Sequence, residues 1–82
     1  MVKLGEYIRI APNVREITQK AYLLKDNTLK IGFTKCWDYF PEGTYHFDFK
    51  QQHIYAQELI YTKYGLQTQR DVVYKKINAI KV

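Results

Sequence analysis

Apolar and polar positions alternate with a period of two in a pair of short stretches. Leu29, Ile31 and Phe33 alternate with Lys30, Gly32 and Thr34, and Tyr45, Phe47 and Phe49 alternate with His46 and Asp48. That period puts one face of a strand on a core and the other in water. Pro41-Glu42-Gly43 between them is a turn signal. The pattern predicts an antiparallel hairpin with an aromatic loop, Cys36-Trp37-Asp38-Tyr39-Phe40. Near the start, Tyr7-Ile8-Arg9-Ile10 is β-rich and stopped by Ala11-Pro12, so residues 4–11 read as a strand.

Elsewhere the spacing favours helices. Val14, Ile17, Ala21 and Leu24 recur at helical intervals behind Asn13 and Glu16, which have the spacing of a capping box. A helix over 14–25 is predicted. The competing reading is a strand over 19–24, paired with the next strand across Asp26-Asn27, residues that tolerate turn conformations. Asp48 and Gln51 repeat the capping-box spacing ahead of 51–64, where Ile54, Glu58 and Tyr61 share one helical face and Ala56, Leu59, Ile60 and Lys63 another. Gly65 followed by Leu66 fits a glycine C-cap, so a helix over 50–64 is predicted. In residues 69–82, Val72, Val73, Tyr74, Ile77, Ile80 and Val82 are mostly strand formers, although Val73, Ile77 and Ile80 also have helical spacing. The resulting order, β-α-β-β-α-β, is that of a small single-domain α+β protein of the split-βαβ or ferredoxin-like kind. The alternatives are a small all-β barrel with 14–24 as strand, or an α+β fold with a C-terminal helix.

Length and composition narrow the class. Eighty-two residues allow one small domain, and 46% hydrophobic with 26% charged residues is ordinary for a folded chain. The longest apolar run, Ala21-Tyr22-Leu23-Leu24, is far short of the roughly 20 residues of a membrane-spanning helix. The opening MVKLGEYIRIAPN lacks the apolar segment of a secretory signal. The lone Cys36 excludes an internal disulfide. These features fit a cytoplasmic protein without a membrane partner.

The charge is uneven. Residues 1–60 hold eight Lys/Arg against seven Asp/Glu, whereas 61–82 hold Lys63, Arg70, Lys75, Lys76 and Lys81 against Asp71 alone. A local cationic excess attracts polyanions, and tyrosines interleaved with it offer stacking faces. The alternative reading is a solvated edge strand guarded by lysines.

Catalytic chemistry finds little purchase. Cys36, His46 and His53 lack the close pairs that hold zinc, and no metal or cofactor site is predicted. There is no serine, and Cys36 reads as a small hydrophobe. The four glycines stand singly, without a phosphate-cradling loop. His46-Phe47-Asp48, followed by Tyr61 to Tyr64 on a predicted helix, resembles the layout of rolling-circle replication nucleases. Their metal motif is His-hydrophobic-His. Asp48 takes the place of the second histidine here, and the tyrosine–lysine spacing also departs from that family. A helix-turn-helix over 50–64 and a helix from Thr68 is a further route to nucleic acid.

The leading expectation is a non-enzymatic domain binding DNA or RNA through a basic, tyrosine-containing segment: Lys63, Tyr64, Arg70, Tyr74, Lys75, Lys76 and Lys81. The alternative is a protein-binding inhibitor or adaptor, for which the small size suggests a viral or mobile-element origin. It would act through Trp37, Tyr39 and Phe40 or through a sheet edge.

Overall fold

The computed structural model describes residues 1–65 and 67–77. Seven antiparallel strands form one sheet: β1 (Val2–Ala11), β2 (Arg15–Leu23), β3 (Leu29–Phe33), β4 (Cys36–Phe40), β5 (Tyr45–Asp48), β6 (His53–Tyr61) and β7 (Gln67–Lys76). Their order across the sheet is β4-β3-β2-β1-β7-β6-β5. The described residues contain no helix, which corrects the α+β, β-α-β-β-α-β expectation and its variant with a C-terminal helix.

Both misread segments carry two periodicities at once. In 15–23 the period-two set Ile17, Gln19, Ala21 and Leu23 competes with the helical set, and its polar member Gln19 hides it. Gln19 is buried beside Ala21. In 53–61, Ile54 and Ala56 are buried while Tyr55 and Gln57 face away. Glu58 occupies the next inward position, paired with Arg70. Asp48 does collect the two backbone donors that a helix cap would take, with its Oδ1 accepting from the N–H of Lys50 at 3.0 Å and of Gln51 at 3.1 Å. The chain then leaves through Gln52 at φ 59° and enters a strand. Gly65 has the left-handed φ of 80° expected of a cap, but it closes a hairpin, its N–H donating to the Thr62 carbonyl at 2.9 Å. The competing strand over 19–24 corresponds to β2, which pairs with β3 across the turn containing Asp26 and Asn27. The expected aromatic loop 36–40 is itself strand β4, paired with β3 along its whole length.

The edge strands β4 and β5 are consecutive in sequence, joined by residues 41–44. In a flat sheet, seven strands at about 4.8 Å spacing would put the outer two roughly 29 Å apart. The chain from Phe40 to Tyr45 reaches about 18 Å at most. The sheet therefore curls on itself into an open barrel. β4 comes against β6 across the interior, and the ring of Phe40 meets Tyr74 edge-on at 6.4 Å. Two contacts pin the seam: Tyr45 Oη donates to the Asn27 carbonyl at 2.7 Å, and Asn27 Nδ2 donates to Glu42 at 2.9 Å. The barrel alternative is nearer in class, but β4 and β5 remain edges and do not pair.

Curling brings one face of every strand inward. Tyr7, Ala21, Leu29, Ile31, Phe40, Ile54, Ala56, Val72 and Tyr74 form the core. Leu29, Ile31, Ile54 and Val72 are completely enclosed, each contributing on the order of 1.5–3 kcal/mol. Beyond Gln57 and Asp71 the β6–β7 hairpin has no third strand among the described residues, because β5 pairs as far as Ala56 and β1 as far as Val73. It continues as a two-stranded arm tipped by Lys63 and Tyr64.

The tight connection depends on Gly43. Thr44 N–H donates to the Pro41 carbonyl at 3.0 Å, and Gly43 at φ 90° occupies the position where such a turn needs a positive φ. Nothing surrounds the place where a Cβ would sit, so Gly43→Val tests the backbone alone. It should lower stability by about 1 kcal/mol in urea denaturation. An unchanged midpoint would mean that the turn does not hold the curl.

Candidate nucleic-acid interface

In a strand, successive side chains point to opposite faces. This alternation scatters the C-terminal basic segment. Lys63 and Tyr64 lie at the arm tip, with Lys63 Nζ 5.2 Å from the Tyr64 ring centre. Lys75 is outside, opposite His53, about 26 Å along the strand from the base of that tip. Lys76 faces the core side, where a Cβ on Gly5 would touch its Cε. Arg70 faces inward and pairs with Glu58 at 2.6 Å. Tyr74 is 2% exposed in the core, where burial, and secondarily Asp38 and Glu58, push its phenol far above the usual range. It has no face to offer a base. Lys81 lies outside the described residues. The six described residues of the seven expected to act together do not share a surface.

The second expected cluster divides in the same way. Phe40 is 3% exposed and belongs to the core. Trp37 and Tyr39 point the other way, to the outer face of β4, beside Gly32 and Lys30 of β3. Register extends this outer face across the sheet. Lys30 stands next to Tyr22 on β2, which stands next to Lys3 on β1. In the adjoining row Trp37 neighbours Gly32, then Lys20, then Glu6. Three lysines and three aromatic rings thus occupy two neighbouring rows, with Glu6 the acidic residue in them. Lys25 and Lys35 are exposed on the turns at either end.

The packing of this face is specific. Lys30 Nζ lies 4.5 Å from the Trp37 ring centre and 6.0 Å from that of Tyr39, a cation–π arrangement. Tyr22 and Trp37 are 6.0 Å apart and tilted by 56°. The indole N–H of Trp37 donates to the Thr34 carbonyl at 2.9 Å. Gly32 is obligatory beneath it, since a Cβ there would run into the backbone of Cys36 and Trp37. Tyr39, 56% exposed, is the freest ring of the set. Sequence reasoning found Trp37 and Tyr39 but missed Lys3, Lys20, Tyr22 and Lys30. The signal was present in the alternation of Lys30 with Leu29 and Ile31, which puts Lys30 on the face opposite the core.

Other clusters lead elsewhere. On the outer face of β5 and β6, His46 stacks on Tyr55 at 4.9 Å, and Asp48 is engaged in its turn. Tyr61 is the last residue of strand β6, next to the tip of the arm. The helix that the nuclease-like layout requires is therefore missing. Among the described residues no three His, Cys, Asp or Glu side chains are placed to hold a metal ion. No described helix is long and apolar enough to cross a membrane. Comparisons with protein-family models, curated proteins and solved structures give no match to this chain.

At the arm-side end of the core, Asp38 stands on the inner side of β4 near Glu58 and Arg9, with its side chain still open to solvent. Burial, reinforced by Glu58 and opposed by Arg9, raises its carboxyl above the ordinary 3.8. Below 3.8 the group is neutral in folded and unfolded chains alike and contributes nothing. As pH rises the unfolded chain ionises first, so the fold incurs a penalty that is complete once the folded pKa is passed. Asp38→Asn should therefore melt above the parent at pH 7, with the difference vanishing as pH falls to 3.8. A lower melting temperature at pH 7 would make the Arg9 attraction the dominant effect.

Proposed function

We propose that this protein is a non-enzymatic nucleic-acid-binding domain whose interface is the outer face of β2, β3 and β4, with Lys3 and β1 at its margin. The observation that carries the reading is the convergence of Lys3, Lys20 and Lys30 with Tyr22, Trp37 and Tyr39 in two rows of one face. Ammonium groups displace counterions from phosphates, and π-faces accept bases. A convex sheet surface bearing both has the two elements that polyanion binding and base contact each need. The protein's net charge of +5 adds a long-range attraction to any polyanion. Lys63, at the tip of the arm, contributes to that general field and not to the contact.

The reading is tested with two charge-reversal pairs on a labelled oligonucleotide. Lys20→Glu with Lys30→Glu should weaken binding strongly and flatten the slope of log K against log salt by about 1.5, at about 0.7 per phosphate contact on a single strand. Lys63→Glu with Lys50→Glu, at the arm tip and on the β5–β6 turn, changes the net charge equally and should leave most of that slope in place. Equal losses from both pairs would show that net charge, and not this face, governs binding.

A further inference from the structure

We infer that the ligand of this face is a single strand and not a duplex, an inference that rests on reading the face as a nucleic-acid interface. Trp37 and Tyr39 are two residues apart on one strand and project from the same side, which separates their attachment points by about 6.6 Å. Bases within one strand of a duplex rise by about 3.4 Å and already have both faces covered by their neighbours. Rings at twice that spacing meet bases only if the strand is stretched and unstacked. The surface is also the convex outside of a curled sheet, whereas duplex readers insert a helix or a narrow ribbon into a groove.

The distribution of charge gives such a strand an orientation. Trp37 and Tyr39 stand on the edge strand β4, and Tyr22 stands on β2 between Lys30 and Lys3. Lys3, Lys20 and Lys30 are on β1, β2 and β3. Phosphates tracking the lysines leave the bases directed toward Trp37 and Tyr39. Lys30 Nζ, 4.5 Å from the Trp37 ring centre and 6.0 Å from the Tyr39 ring centre, stands where a base would stack. A base arriving there displaces the ammonium, which is then free to meet the adjacent phosphate. The Trp37 indole needs little reordering, since its N–H is already held by the Thr34 carbonyl.

Three probes of equal strand length, ~10 nucleotides, decide the matter: a single-stranded oligonucleotide, the same sequence as a duplex, and an abasic strand carrying the phosphates alone. The single strand should bind at least tenfold more tightly than the other two and should quench Trp37 emission, which the abasic strand should not. Tyr39→Ala should weaken single-strand binding roughly 5- to 150-fold, the range of one base–aromatic stack, without changing the salt slope. Because Tyr39 is largely exposed, an unchanged Trp37 emission spectrum in the free variant verifies that the fold is intact. Duplex or abasic binding as tight as the single strand would overturn the inference while leaving the nucleic-acid interface standing. Failure of all three probes to bind at low salt would overturn the interface itself.

Discussion

The connection from Pro41 to Thr44 joins the two opposite edges of a seven-stranded sheet, and the rest of the structure follows from its shortness. A flat sheet would need a span well beyond the chain's reach. Curling is therefore imposed by connectivity, and the core is its consequence. Phe40, from one edge, meets Tyr74, from the other half of the sheet. Gly43 and the Tyr45–Asn27 hydrogen bond hold the two edges at the seam. A chain this small buries only ~60% of the surface of its unfolded state, so losing the convergence of the two halves would remove most of the enclosed apolar area.

Curling also divides the surface into two kinds. The inner faces are spent on the core and, at the arm-side end, on the group of Arg9, Asp38, Glu58 and Arg70. Whatever binds a ligand from regular structure must use the outer faces or the arm. Each aromatic in Cys36–Phe40 was thereby assigned to one side: Phe40 inward, Trp37 and Tyr39 outward. The outward rings then inherit lysines from three strands that are far apart in sequence. The +4 excess of residues 61–82 is real as a count but is not a patch, because neighbours such as Lys75 and Lys76 leave the strand on opposite sides.

Legibility in the sequence tracked how cleanly the period of two was expressed. The strands at Tyr7–Ile10, Leu29–Phe33 and Tyr45–Phe47 were readable because apolar and polar residues alternate without exception or because β-formers are bounded by Pro. β2 and β6 were obscured by single polar residues on the inward face, Gln19 and Glu58. Each breaks the alternation and leaves a helical phase looking the more regular. Asp48 and Gly65 added false helix ends, since an Asx turn and a hairpin turn use the same backbone preferences as helix caps. The candidate site was half visible. Trp37 and Tyr39 stood out as exposed-type aromatics, but pairing them with Lys3 and Lys20 requires the register of four strands, which no local pattern contains.

In the proposed interface, strand register and not proximity in sequence brings the residues together. A titration of the ¹⁵N-labelled protein with a single-stranded oligonucleotide tests it residue by residue. Shifts are expected at Lys20, Tyr22, Lys30, Trp37 (including its indole N–H) and Tyr39, with Lys63, Tyr64 and Arg70 little changed. Shifts concentrated from Lys63 to Lys76, with the Trp37 indole unmoved, would contradict it.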